Sequence, residues 1–122
     1  MNPSYSQCAF KLYLPEYVEY DDNINIKYRF EYKKENTEKI VYSQAVITDR
    51  FGVSYNESNT RFFSTSKKLA QSASISFWHN EKKIWMKKAK LELTFLSEKG
   101  QKTKVIFSFE DGTKGKLLDV YN

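Results

Sequence analysis

The pattern that decides the fold reads Ile24-Asn25-Ile26-Lys27-Tyr28-Arg29-Phe30-Glu31-Tyr32-Lys33. Apolar or aromatic residues alternate strictly with polar ones, so one face of an extended strand is wholly apolar and the other wholly polar. Such a strand covers a core on one side and meets water on the other, as is typical of antiparallel sheets. The turn-forming triplet Asp21-Asp22-Asn23 comes directly before it. The stretch therefore predicts a long, half-buried strand.

The same period of two recurs along most of the chain. It begins near Cys8, weakens between residues 39 and 64, and returns from Leu69 to Phe77. This alternation resembles that of many immunoglobulin-like or C2-like sandwiches, and it implies an all-β, antiparallel β-sandwich. We expect a single β domain over residues 1–122, since a chain of this length is enough for one hydrophobic core. No set of residues is specific enough to assign a family.

The C-terminal third predicts a three-stranded meander whose apolar residues share one face. A first loop centred on Gly100 pairs Leu93 with Phe107, and a second loop at residues 111–114 pairs Phe107 with Leu118. Because side chains alternate along a strand, both registers keep the apolar residues together. The same registers set the remaining apolar residues opposite one another: Leu91 with Phe109, Phe95 with Val105, and Val105 with Val120.

Residues 81–91 are the ambiguous part of the pattern. They are rich in helix formers and follow Asn80, which is a good helix N-cap. As a strand they need a bulge, because the apolar side chains change from even to odd positions between Met86 and Ala89. We expect the bulged strand. The alternative is an α+β fold with a short helix near residues 81–90.

The composition indicates the compartment of the protein. Cys8 is the only cysteine, so an intramolecular disulfide is impossible and a reducing environment fits best. The first residues contain no basic and apolar segments of the signal-peptide type. No apolar run approaches the roughly 20 residues that a bilayer span requires. We therefore expect a cytoplasmic protein without a transmembrane segment.

The residues that carry chemistry are few. His79 is the only histidine, and its place beside Asn80 predicts a surface or capping role. Cys8 is in phase with Phe10 and Leu12, which predicts a small buried apolar residue rather than a nucleophile. The sequence contains no glycine-rich phosphate loop, nucleophile elbow or zinc-ligand spacing. We expect no enzymatic activity, no cofactor and no metal site.

The candidate partner-binding site lies in the aromatic and basic segment from Phe77 to Lys88. A hairpin here sets Trp78 opposite Trp85, and tryptophan is enriched at the energetic centres of protein interfaces. The alternative is that both tryptophans belong to the core and the lysines keep an edge strand soluble. Four lysines surround the tip and flank of the expected hairpin: Lys82, Lys83, Lys87 and Lys88.

The charge distribution bears on the partner of this segment. The formal net charge is +5, and it comes from the second half of the chain, since residues 1–60 are slightly acidic. We predict a non-catalytic protein-interaction or assembly module, an adaptor, inhibitor or structural subunit, whose protein partner is favoured to be acidic. The alternative is a binder of an anionic surface, either single-stranded nucleic acid or phospholipid headgroups, through the basic C-terminal half. The scarcity of arginine disfavours nucleic acid. The oligomeric state is left open.

Overall fold

The computed structural model describes residues 10–32, 40–57, 59–65, 70–79, 83–97, 99–110 and 112–121. Within these ranges the chain forms ten strands and no helix, so none of its described segments is a helix that could cross a membrane. The strands are β1 (Phe10–Leu12), β2 (Glu16–Glu19), β3 (Asn23–Tyr32), β4 (Ile40–Thr48), β5 (Ser54–Asn56), β6 (Asn59–Thr65), β7 (Ala70–Trp78), β8 (Ala89–Ser97), β9 (Lys102–Phe109) and β10 (Lys116–Tyr121).

The strands form two antiparallel sheets. Sheet A has the order β1-β3-β7-β6, and β2 also pairs with β3. Sheet B has the order β10-β9-β8-β4-β5. The long strand predicted from the alternation in residues 24–33 is β3, which lies in the interior of sheet A. The prediction of an all-β antiparallel sandwich is confirmed, while the closer resemblance to immunoglobulin-like or C2-like sandwiches stays a prediction.

One hydrophobic cluster joins the two sheets. Its side chains come from β3 and β7 of sheet A, from β4, β8, β9 and β10 of sheet B, and from Ile84 and Met86 in the connection between β7 and β8. They occupy alternate positions along each strand, as the period of two requires. On β3 the fully or almost fully buried residues are Ile24, Ile26 and Tyr28, whereas Lys27 and Arg29 are exposed.

Two aromatic contacts define which ends of the sheets coincide. The ring of Tyr17, beside the first half of β3, lies edge-on to Phe109 with centroids 5.2 Å apart, and Phe109 pairs with the first residue of β8. Further along both strands, Tyr28 lies edge-on to Phe95 at 5.9 Å. The starts of β3 and β8 are therefore at the same end of the sandwich. We call it the crossover end, and it carries residues 20–22, 49–53, 79 and 83–88.

The first register of the C-terminal meander differs from the prediction by two residues. Leu91 lies opposite Phe107, not Phe109, and Leu93 lies opposite Val105. The predicted pairing of Phe95 with Val105 is wrong for the same reason. A shift of two leaves every side chain on its original face, because the period of a strand is two. Leu93 and Phe107 are accordingly both fully buried.

The second register contains a bulge. Val105 lies opposite Val120 as predicted, but Phe107 lies opposite Leu117 instead of Leu118, because the register shifts between the two pairs. Leu117 packs against the core in consequence, and Leu118 is 38% exposed. The prediction that Leu118 faces inward is wrong.

The segment before Ala89 forms neither the bulged strand nor the short helix that we considered. Residues 83–86 have no regular secondary structure, and a turn follows in which Lys88 has a φ of +64°. The amide of Lys88 donates to the carbonyl of Phe109 at 2.7 Å, and that of Ala89 donates to Met86 at 3.0 Å. The buried side chains change from even to odd positions between Met86 and Ala89, as expected, but a turn rather than a β-bulge produces the change.

Candidate functional site

The tryptophan hairpin predicted from the sequence is not formed. Trp78 ends β7 and pairs with Asn23 of β3 in sheet A, whereas Trp85 lies in the connection that leads to sheet B. The physical reason is that β7 has β3 on one edge along its whole length and β6 on the other edge as far as Ser76. A returning strand would have only the last two residues of β7 to pair with, and the chain instead leaves sheet A after residue 78.

Both indoles are nevertheless at the surface. Trp78 is 56% exposed and Trp85 is 59% exposed, so the alternative that places them in the core is also wrong. Trp78 projects from the outer face of sheet A, while its neighbour Phe77 is fully buried. Three of the four predicted lysines are exposed, namely Lys83, Lys87 and Lys88, and Lys82 lies outside the described residues.

Trp85 contacts the turn between β4 and β5. The guanidinium carbon of Arg50 lies 5.7 Å from the Trp85 ring centroid and 4.9 Å from that of Phe51, which is within cation–π range. Phe51 is 64% exposed and Val53 is 48% exposed. Six residues line an open cleft of about 310 Å³ beside this contact: Asp49, Phe51, Val53, Tyr55, Lys83 and Trp85. We call Arg50, Phe51, Val53 and Trp85 the aromatic patch.

A buried carboxylate holds the turn that presents this patch. Asp49 is only 6% exposed, and its Oδ1 accepts hydrogen bonds from the amides of Phe51 at 2.9 Å and Val53 at 3.0 Å. The Asp49 backbone bonds to Val53 and Gly52 as well, and Gly52 has the positive φ of +88° that glycine adopts without strain. An aspartate that accepts from the amides two residues on is a standard turn former. The turn is therefore fixed before any partner binds.

The charge that the aromatic patch presents to a partner depends on which groups contact the Asp49 carboxylate. Burial raises the pKa of the Tyr55 hydroxyl, and the charge of Asp49, which accepts a hydrogen bond from that hydroxyl, raises it further. The carboxylate is thus engaged by groups of its own domain. Arg50 and Lys83 are exposed, so the surface that a partner meets is apolar and positively charged.

His79 has a different environment from the one predicted. It is 8% exposed rather than at the surface, and within the described part of the chain neither of its ring nitrogens has a hydrogen-bond partner. Its amide donates to the carbonyl of Asp22 at 3.0 Å. The signal was present in the sequence, because position 79 continues the inward odd phase of Ile75 and Phe77.

Sequence reasoning missed three members of the aromatic patch, which are Arg50, Phe51 and Val53. The available signal was a phenylalanine in the middle of Asp49-Arg50-Phe51-Gly52, a turn motif that has no core-facing position for an aromatic ring. Large apolar side chains in exposed turns are informative when they lie next to one another. Their proximity to Trp85 depends on the tertiary structure.

Comparison of the chain with protein-family models, with curated proteins and with solved structures found no match. Among the residues that the structure describes, no group of three or more His, Cys, Asp and Glu side chains is arranged to hold a metal ion. Cys8, the one residue for which we considered a nucleophilic role and rejected it, lies outside the described ranges.

Proposed function

We propose that this chain is a non-catalytic protein-interaction or assembly module that binds its partner through the aromatic patch. The observation that supports this most directly is that Phe51, Val53 and Trp85 are exposed and line one cleft. Large contiguous apolar patches are uncommon on soluble monomers and usually mark a contact site. Tryptophan and arginine are also the residues whose truncation most often weakens an interface by about 2 kcal/mol or more.

The rigidity of the turn strengthens the proposal. Ordering a mobile loop on binding lowers affinity, whereas a loop already held in one conformation avoids that loss. The two hydrogen bonds from Phe51 and Val53 to Asp49 hold this turn. Arg50 is likewise oriented by the rings beneath it, so its N–H groups are available to a carboxylate of the partner.

The proposal is tested by affinity capture with the tagged protein from a lysate of its source cells. We expect the Phe51→Ala/Trp85→Ala double variant to lose its specific partner, with at least about tenfold less recovered. The matched control is Leu118→Ala/Tyr121→Ala, which removes two other exposed apolar side chains on β10. Equal recovery by the wild type and the Phe51→Ala/Trp85→Ala variant contradicts the proposal.

A second candidate function is binding to an anionic surface. It is favoured by the exposure of Lys83, Lys87 and Lys88 close to Trp85 in the chain, since stacking rings with neighbouring cations are used by single-strand binders. Such binding weakens steeply with salt, whereas an apolar protein contact is much less sensitive. Capture that disappears at high salt and after nuclease treatment supports this candidate instead.

A further inference from the structure

Building on the proposed interaction function, we propose that the partner is a second copy of this chain, and that two copies pair end to end through their crossover ends. The crossover end has two halves of opposite charge. One half is an acidic turn at the start of β3 in sheet A, and the other is the basic aromatic patch at the end of β4 in sheet B. A second copy offers each half its complement.

The acidic half consists of Tyr20, Asp21 and Asp22. All three are exposed, with Tyr20 at 54%. Hydrogen bonds fix the turn: the Tyr20 amide donates to the carbonyl of Asn23 at 2.8 Å, and the Asn23 side chain donates to the Asp22 carboxylate at 2.7 Å. The amide of His79 donates to the carbonyl of Asp22, which ties the turn to the β7–β8 connection. It presents an aromatic ring and two carboxylates on a defined backbone.

The basic half presents matching chemistry. Arg50 and Lys83 supply the cations, while Phe51 and Trp85 supply the exposed apolar surface. An arginine guanidinium binds carboxylates with two parallel hydrogen bonds, and this one is already oriented over two rings. Aromatic pairs across an interface add about 0.5–1.5 kcal/mol beyond the area that they bury. The tyrosine of one acidic turn therefore has an apolar surface to contact on the other copy.

The placement of both halves at one end determines the symmetry. A two-fold rotation brings the acidic half of each copy to the basic half of the other, so the same contact is made twice and the dimer closes. The net charge of +5 opposes association, but charges farther apart than about 8 Å are largely screened at physiological salt. The opposite charges in direct contact at the two crossover ends then determine whether the copies associate.

A second copy fits this end better than an unrelated acidic segment does. An acidic peptide satisfies Arg50 and Lys83 but leaves Tyr20, Asp21 and Asp22 exposed and without a role. In a pair of copies both halves are used, because each acidic half faces the basic half of the other copy. No carboxylate then faces another carboxylate, an arrangement that would oppose association. Charge complementarity within one surface thus points to self-association.

The test uses two charge-reversal variants in sedimentation velocity, with protein up to about 200 µM so that a weak dimer is populated. Arg50→Glu/Lys83→Glu reverses the charge of the basic half, and Asp21→Lys/Asp22→Lys reverses the charge of the acidic half. We expect the wild type to dimerise as its concentration rises and each variant alone to stay monomeric. An equimolar mixture of the two variants is expected to restore the dimer, because the carboxylates of the first variant then face the cations of the second.

The control keeps the charge change and moves it to the other end of the sandwich. Lys99→Glu/Lys102→Glu, at the turn between β8 and β9, is expected to dimerise like the wild type. Circular dichroism of each variant verifies that the exposed substitutions leave the fold intact. Raising the salt to about 0.5 M is expected to weaken the wild-type dimer.

Two results overturn the inference. The first is a wild type that stays monomeric throughout the concentration range, and the second is a mixture of the two reversal variants that fails to associate. The proposed function is judged separately by affinity capture. If the aromatic patch captures a different protein while the wild type remains monomeric, the interaction function stands and self-pairing is wrong.

Discussion

Gly115 donates its backbone N–H to the carbonyl oxygen of Pro15 at 2.7 Å, and this bond ties the two sheets together along one edge. Pro15 lies in the link between β1 and β2 of sheet A, and Gly115 directly precedes β10 of sheet B. The amide of Tyr17 also donates to the carbonyl of Thr113 at 2.9 Å. The edge is thus joined by the backbone itself, in addition to the side-chain core between the sheets.

Replacing Gly115 with alanine is expected to destabilise the protein by about 1–3 kcal/mol, as overpacking does in closely packed sites. A Cβ at this position would lie 2.7 Å from Cγ of Pro15 and 3.3 Å from Cβ of Phe107, so the two segments must move apart. Urea unfolding measures the loss. In the Pro15→Ala background the same substitution should cost less, because the ring is gone. A cost that is equal in both backgrounds contradicts the steric explanation.

Asp49→Ala is expected to lower the free energy of unfolding by about 1–3 kcal/mol, because two amides lose their shared acceptor. The aromatic patch should also bind less well, although Asp49 itself is buried. Chemical denaturation and affinity capture measure the two effects. Arg50→Ala in the same turn is the control, and it should change stability by less than about 0.5 kcal/mol. If Asp49→Ala unfolds at the same denaturant concentration as the wild type, the turn is held by something else.

The neighbours Ile84 and Trp85 should respond oppositely to truncation. Ile84 is 2% exposed and belongs to the core, so Ile84→Ala is expected to destabilise the protein by about 2–5 kcal/mol. Trp85→Ala should cost far less stability, since most of that side chain is in water, but it should weaken partner binding. Thermal unfolding and capture separate the two variants. A large loss of stability in Trp85→Ala would show that its indole is packed inside.

The stability should depend on pH through Glu57. Its Oε1 accepts a hydrogen bond from the amide of Ala45 at 2.8 Å, but burial outweighs this bond and raises the pKa of Glu57 above its usual 4.5. The folded state therefore holds the proton more tightly than the unfolded state does. Protonated Glu57 therefore contributes stability that is fully present at pH values below its pKa in the unfolded chain. This stability is lost as the pH rises through the pKa of Glu57 in the folded protein.

Glu57→Gln keeps the acceptor oxygen and removes the charge. We expect the variant to be more stable than the wild type at pH 7, and we expect this advantage to shrink as the pH falls toward 4. Unfolding in urea at a series of pH values measures the difference. An advantage that does not change with pH would mean that the charge of Glu57 is not what burial opposes.

His79 offers a stabilising substitution. A buried polar group without a partner is unfavourable, and replacing it with an apolar group of similar size is near neutral or stabilising, by up to about 2 kcal/mol. We expect His79→Leu to raise the midpoint of thermal unfolding. His79→Ala should lower it, because it leaves a cavity under β7. If His79→Leu also lowers the midpoint, the imidazole makes a favourable interaction that an apolar side chain cannot replace.

The part of the fold that was predicted correctly depends on local periodicity. The burial of Ile24, Ile26 and Tyr28, and that of Leu93 and Phe107, follows from alternation along single strands. Even a register error of two residues left those faces unchanged. Periodicity alone also indicated that position 79 faces inward, a signal that the expected surface role for His79 ignored.

The candidate site was predicted only in part, because strand pairing is not a local property. Trp78 and Trp85 were considered either as contact residues or as core residues, and both are exposed; the predicted hairpin between them requires a free edge on β7, and β6 occupies that edge as far as Ser76. The bulge at Leu117 similarly depends on how β10 pairs with β9. Arg50 and Phe51 are distant from Trp85 in the chain, so no local pattern links them.

The amino-acid sequence by itself determined which side of β3, β7, β8 and β9 is apolar, and hence that the chain folds as an antiparallel sandwich, because side chains on a strand alternate with a period of two. Only the tertiary structure decided that Trp85 lies against Arg50 instead of Trp78, and that the acidic turn at Asp21 shares an end with the basic patch. These proximities arise when strands distant in the chain compete for the same sheet edges, and that competition is settled by the packing of the whole core.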